Sequence, residues 1–232
     1  MITTDLQHSD YRIRKLIGTL GLALPILLPL VRWEFLASIS HYYYYTSSSL
    51  IFIIVLSAFG LFLLSYRGYK RDKTTERFSD NFLTNLAGLA ALIVVVIPTD
   101  CSESMSLRID GICKNGPLPL FGHTDTLQNT IHLVAAGIFI LCMGWMSRFK
   151  FTRGSDVNNH KLYKFCGNAV FISVGLIVLF ILIEKIYDGP FFLKHYYVYI
   201  FETTAVIPFG ISWLVKGKAI DDVKKISTKM FN

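Results

Sequence analysis

Apolar residues fall into six uninterrupted blocks separated by short polar stretches: Leu16–Val31 (reaching to about 33), Ser49–Tyr66, Leu83–Pro98, Thr130–Phe149, Phe165–Ile183 and Tyr196–Val215. Each approaches the roughly 20 residues that an α-helix needs to cross about 30 Å of hydrocarbon. The blocks do not alternate in polarity, as strands of a membrane barrel would, and the bilayer core offers no water to a broken backbone. The pattern predicts an all-α, six-helix transmembrane bundle over residues 1–217. The first and third spans are the short ones. Pro25 and Pro29 inside the first favour a kink. Ala37 and Ser38 follow that first block as they would in a cleavable leader, but the expectation is that the segment is retained as a span.

The distribution of charge sets an orientation. Of the 23 Lys and Arg, 18 lie before the first span, between spans two and three, between spans four and five, or after the sixth. The other side holds Arg32, Arg108, Lys114, Lys185 and Lys194. Positive residues accumulate on the cytoplasmic side, which puts both termini there. The formal charge of +7 is thereby explained without nucleic acid, for which no recognition motif is present. A hydrophobic content of 53% is high for a soluble chain, where about 45–50% is usual even with glycine counted. Trp33, Tyr42–Tyr45, Tyr187, Tyr196 and Tyr197 fall at outer boundaries and Tyr66, Tyr69 and Tyr163 at inner ones, as aromatic belts do.

One outer connection is long, from Thr99 to Asn129. It carries Cys101 and Cys113, the two cysteines outside the apolar blocks. In an exported compartment they are expected to form a disulfide stabilising by about 3 kcal/mol, against the alternative of two free thiols. Cys142 and Cys166 read as packing residues. In the tail, 218–232, Ile220, Val223, Ile226 and Met230 recur at three and four with lysines between them. That pattern fits a basic amphipathic helix on an anionic inner leaflet, or else a solvated tail.

Ionisable groups in a bilayer are costly, so each is a functional candidate. Glu202 lies in the outer half of the sixth span and His132 near the outer start of the fourth. Asp125, Gln128, Asn129 and His132 share a helical face. His41 with Tyr44, Asp100 and His123 arrive at similar depth from other connections. Three readings compete. In one, Glu202 and His132 pair or bond neighbouring hydroxyls and lock helices together, as in a structural or partner subunit. In the second, His132, Glu202, His41, Tyr44, Asp100, Asp125 and Gln128 line an outer-leaflet pocket for a lipid or other amphiphile. In the third, His41, His123, His132, Asp100 and Glu202 hold zinc in a membrane hydrolase. No compact metal motif, phosphate loop, dinucleotide fingerprint or nucleophile elbow accompanies them, and haem and proton-coupled transport find too few supporting groups. The second reading is favoured, with no cofactor and with membrane lipids as partners.

The order Ile39-Ser40-His41-Tyr42-Tyr43-Tyr44-Tyr45-Thr46, Tyr66-Arg67-Gly68-Tyr69, Asn85-Leu86-Ala87-Gly88, Pro98-Thr99, His132, Glu202 and Ser212-Trp213-Leu214-Val215-Lys216-Gly217 resembles a group of bacterial six-span membrane proteins. It is similar, more distantly, to the DRAM-like membrane proteins, in which a His opens the fourth span and a Glu lies in the sixth. The resemblance implies the six-helix architecture, a bacterial inner-membrane location, and His132 and Glu202 as a pair. It implies no reaction. The seven-span ceramidase and adiponectin-receptor-like hydrolases differ in span number and in their metal ligands.

Overall fold

A computed structural model describes residues 5–69, 76–101, 113, 117–153, 157–187, 189, 191, 193–219 and 221–222. Most of the amphipathic tail expected after Lys218 lies outside the described residues. Six α-helices account for the fold, with no β-strand among the described residues: α1 (Asp5–Arg32), α2 (Thr46–Ser65), α3 (Asp80–Val96), α4 (Thr126–Trp145), α5 (His160–Ile186) and α6 (Tyr197–Lys216). Five are long and apolar enough to cross a membrane, and the sixth, α3, is an apolar helix of 17 residues. At 1.5 Å per residue α3 spans about 25 Å, short of a full bilayer core.

Local chemistry sets several of the boundaries. Ser79 caps α3, its Oγ accepting the Phe82 N–H at 3.1 Å, and Pro98 disfavours helix in the residue before it. Asp125 caps α4 by accepting the Gln128 N–H at 2.8 Å. Beyond Trp145, α4 continues as a π-helical turn, Met146–Lys150. Despite Pro25 and Pro29, α1 is unbroken. Pro29 has no N–H to give the Pro25 carbonyl, and the Tyr199 hydroxyl of α6 donates to that oxygen instead, at 2.7 Å. A neighbouring helix thus repairs the ladder where no water reaches.

Each helix packs on its neighbours in chain order, and α1 meets α6, so the six close into a ring. Between α2 and α3 the backbones touch at Gly60 and Gly88. A Cβ on Gly88 would lie 2.7 Å from the Gly60 carbonyl oxygen, and one on Gly60 would lie 2.9 Å from that of Gly88. Gly18 and Gly210 make the same reciprocal approach between α1 and α6. Close backbone approach of this kind, with its dense van der Waals contact, is how apolar helices associate where lipid removes the hydrophobic drive between them.

One end of the ring is charged. Lys15 near the start of α1 pairs with Asp222 beyond α6, so these two ends lie together. Nearby, Lys150 reaches Glu76 at 3.2 Å and Asp80 at 3.5 Å, and Arg153 bridges the same two carboxylates. Arg14, Arg153 and Lys216 each lie 5.8 Å from the centre of the Tyr69 ring. The π-helical turn helps deliver Lys150 to this cluster. Removing one partner of a buried ion pair costs about 3–5 kcal/mol, because the other charge stays behind.

The glycine contacts carry a direct expectation. Gly88→Val forces α2 and α3 apart and lowers stability by about 1–3 kcal/mol, read as a drop in the detergent melting temperature. Gly137→Ala, at a position with nothing within 4 Å, leaves melting unchanged or raises it slightly, since alanine is the better helix former.

Candidate functional site

The connection from α1 to α2 is short, and it folds inward. Ser40–Tyr44 form a 3₁₀ turn in which Ser40, Tyr42, Tyr43 and Tyr44 are buried. Three consecutive tyrosines point to different partners because a 3₁₀ turn advances about 120° per residue. The Tyr42 hydroxyl donates to the Glu34 carbonyl at 2.7 Å and accepts the Leu36 N–H at 3.2 Å. Tyr43 donates to the Leu120 carbonyl and Tyr44 to that of Thr99. Ser48, at the start of α2, closes the turn by bonding the Tyr42 and Tyr45 carbonyls at 2.9 and 3.1 Å. The tyrosines expected in an outer lipid belt therefore plug the end of the ring. Tyr66 and Tyr163, expected in an inner belt, are buried as well.

The two ionisable residues singled out in the spans grip consecutive residues of this connection. Glu202 of α6 accepts the Ile39 N–H on Oε2 at 2.7 Å. His132 of α4, 1% exposed, places Nε2 2.9 Å from the Ser40 hydroxyl and Nδ1 2.7 Å from the Ile97 carbonyl oxygen. A carbonyl only accepts, so Nδ1 carries a proton. In the neutral ring Nε2 is then the acceptor, and the Ser40 hydroxyl donates to it. His132 and Glu202 do not bond each other. They act in parallel on adjacent residues, fastening the turn to α4, α6 and the end of α3.

Inside the ring, just below the turn, is a cavity. Its walls come from Leu24 of α1, Phe52 and Leu56 of α2, Val94 of α3, Ala136, Phe139 and Ile140 of α4, and Val206 of α6, with Ile39, Ser40 and Glu202 completing them. Its volume is about 40 Å³. Only Glu202 and Ser40 bring polar side chains to it. Leu24, Phe52, Phe139 and Ser40 were not singled out by sequence reasoning, whereas Ala136 continues the helical face of His132 as a small residue that allows close helix contact. Ser40 carried one signal, its place in the Ser40-His41 pair at a span boundary. The other apolar wall residues carried none, because they look like any other span residue.

The remaining candidates stand apart from the cavity wall. His41 bonds Ser38 through Nδ1 at 3.0 Å. Burial, with the neighbouring His132 adding to it, pushes the His41 imidazolium down to about 4. Burial pushes the Tyr44 phenol up to about 12, so it serves only as a neutral donor. His123 accepts the Asp125 N–H on Nδ1 at 3.1 Å, which leaves Nε2 to donate to the Pro98 carbonyl at 2.8 Å. The backbone N–H of Asp100 and the Thr99 hydroxyl both donate to the Asn129 amide oxygen, at 3.2 and 3.1 Å. Asp125 and Gln128 are exposed at the start of α4. Among the described residues no three His, Cys, Asp or Glu side chains gather as metal ligands would. Cys101 and Cys113 form the expected disulfide, with Cα atoms 5.6 Å apart, and the Cys101 N–H donates to the His123 carbonyl at 2.7 Å. The bridge therefore joins the long connection to the strand of contacts around Tyr44. The Glu76, Asp80, Lys150 and Arg153 network at the opposite end escaped sequence reasoning. Its only trace was three acidic residues, Asp72, Glu76 and Asp80, among the five basic ones between the second and third apolar blocks.

No protein family, curated protein or solved structure matches the chain.

The half-buried His41 makes stability depend on pH. Its folded value, about 4, lies below the ordinary 6.5, so the unfolded chain takes up the proton first. Stability is full above about 6.5 and is lost as pH falls toward about 4. Thermal melting in detergent, followed from about pH 8 to about pH 4, is expected to fall across that window, and His41→Gln is expected to flatten the fall.

Proposed function

We propose that this chain is an integral membrane protein that crosses a bacterial inner membrane six times and binds an amphiphile in the cavity between its helices. In this reading both termini and the charged end face the cytoplasm, the disulfide-bearing connection faces outward, and the cavity lies toward the outer leaflet. Five membrane-length apolar helices with an apolar α3 support the span number, and 18 of 23 Lys and Arg falling on one side support the orientation. The kinship with bacterial six-span proteins belongs to the same proposal and rests on the sequence motifs.

The observation that carries the functional reading is the chemistry of the cavity wall. By volume the cavity would take about two to four waters at 10–15 Å³ each. A buried water wants two to four polar partners, and apolar cavities stay dry. With only Glu202 and Ser40 to serve it, most of the space suits hydrocarbon rather than water. Metal-dependent hydrolysis finds less support. It needs three or four converging ligands, whereas both ring nitrogens of His132 and of His123 are engaged by other groups.

Two experiments test the parts separately. For orientation, Leu120→Cys and Val157→Cys place thiols at positions 73% and 68% exposed. An impermeant maleimide applied to intact cells should label the first and spare the second until the membrane is opened. The reverse pattern refutes the topology. For the cavity, Ala136→Phe or Val206→Phe should fill it. Lipid extracted from the purified wild type and identified by mass spectrometry should fall at least about tenfold in the filled variants, a loss of roughly 1.4 kcal/mol of binding, while their melting is maintained. Retention of the same lipid by well-folded filled variants refutes the site.

A further inference from the structure

The cations at the charged end of the ring divide into two sets. Lys15, Lys150 and Arg153 are held by carboxylates. Arg14 donates to the Tyr66 hydroxyl at 3.0 Å, and Lys216 donates to two backbone carbonyls. Arg148 of the π-helical turn, and Lys161 and Lys164 at the start of α5, form no side-chain hydrogen bond or ion pair among the described residues. Asp156 is the only acidic residue between Asp125 and Glu184, so nothing on α4, or on α5 before Glu184, neutralises them. They meet where α4 and α5 touch. A Cβ on Gly167 would lie 2.7 Å from the Arg148 backbone nitrogen and 2.8 Å from its Cα. The base of Arg148 therefore rests on α5 beside Asn168, one turn from Lys164. Its guanidinium lies 5.2 Å from the centre of the Phe149 ring, and Phe149 meets Phe171 of α5 at 6.5 Å. Phe149 is exposed, which places that guanidinium on the outward side of the junction. Lys164, Asn168, Phe171 and Gly175 recur at four, three and four along α5 and share one face. All but the half-buried Phe171 are exposed. A Cβ on Gly175 would meet nothing within 4 Å, so this face is a shallow groove floored by bare backbone.

We propose that this junction binds an anionic phospholipid of the inner leaflet. Its phosphate sits among Arg148, Lys161 and Lys164, an ester carbonyl accepts from the Asn168 amide, and an acyl chain lies along the groove at Gly175. The inference rests on the topology proposed above and is independent of the cavity. Cations near helix ends reach interfacial water by snorkelling, and that alone would account for any one of the three. It does not account for Asn168, an exposed and unbonded amide about 6 Å further along the helix than Lys164, on a face that is otherwise apolar from there on. An amide in that setting wants an acceptor, and hydrocarbon has none. A phospholipid offers its groups in the order the helix presents their partners: phosphate, then ester carbonyls, then chain. Gly175 follows Asn168 by about 10 Å, where only chain remains to be accommodated. Basic pockets between spans at the cytoplasmic side suit anionic head groups for the same electrostatic reason.

The test is native mass spectrometry of the full chain from micelles holding equal amounts of phosphatidylglycerol and phosphatidylcholine with the same acyl chains. Wild type is expected to retain the anionic lipid about tenfold over the zwitterionic one. Arg148→Gln combined with Lys164→Gln should abolish that preference. Arg67→Gln combined with Arg77→Gln, exposed cations of another connection on the same side, should leave it unchanged. Equal retention of the two lipids by wild type overturns the site, as does an equal loss in the Arg67, Arg77 pair, which would mean undirected attraction to basic charge. Displacement of the retained lipid by glycerol phosphate assigns the site to a soluble phosphate and overturns the lipid inference. Dimers in place of lipid adducts give this face to a second copy of the chain and overturn it too. Should the Arg148 variant fail to fold, Lys161→Gln with Lys164→Gln decides, since both side chains are exposed and neither touches the contact at Gly167. Micelles have no sidedness, so a wrong orientation shows only in the maleimide labelling, and a wrong site shows only here.

Discussion

Between α1 and α2 the chain turns inward, with Leu36, Ser38, Ile39, Ser40 and Tyr42 to Tyr45 buried within the protein. Each N–H and C=O there needs a partner from the protein, and an unpaired one costs on the order of 1–3 kcal/mol. Glu202 answers the Ile39 N–H, Ser48 answers two carbonyls, and the tyrosine hydroxyls spread outward to carbonyls on other connections. The Ala37 carbonyl takes the Tyr199 N–H of α6 at 3.0 Å. The requirement to pair this one stretch of backbone draws α3, α4, α6 and the disulfide-bearing connection to a single point. The same logic operates within α1, where Tyr199 supplies the bond that Pro29 cannot.

That stitching also accounts for the cavity. Helices tied together at one end by the inward-folded connection, and in backbone contact at Gly60–Gly88 and Gly18–Gly210, are held at spacings dictated by those contacts. Side chains such as Ala136 and Val94 then leave space in the ring that nothing else fills. The polar residues beside the space are used to hold the turn. Structural and functional readings of Glu202 and His132 are thus not exclusive. His132 spends both nitrogens on the fold, whereas Glu202 spends one oxygen and keeps the other.

The opposite end of the ring is organised by charge rather than by neutral hydrogen bonds. Lys150 and Arg153, carried by and just after the π-helical turn, hold Glu76 and Asp80 in a shared network. Lys216 donates to the Phe151 and Arg153 carbonyls at 2.9 and 3.2 Å. The two ends therefore respond to different conditions. Protons act at the histidine end, whereas salt acts on the partly exposed pairs at the other, Lys15 with Asp222 among them.

By itself the amino-acid sequence determined the helical class, the approximate position of each apolar helix and the pairing of Cys101 with Cys113. Those properties depend on local hydrophobicity, on the demand for internal backbone bonding, and on there being only two cysteines outside the apolar blocks. It also marked Glu202 and His132, because a charge or imidazole in an apolar run is conspicuous wherever the helix ends up. Tertiary structure alone decided that these two residues bond Ile39 and Ser40 rather than each other, that the tyrosines plug the ring instead of facing lipid, and that Asp125 and Gln128 stay at the surface. It alone assembled the cavity, whose wall joins residues from Leu24 to Val206. Hydrophobic pattern tells how far a residue is from water, but not which neighbour it meets. That depends on helix rotation and on where glycines let backbones touch, and these are properties of the packed ring as a whole.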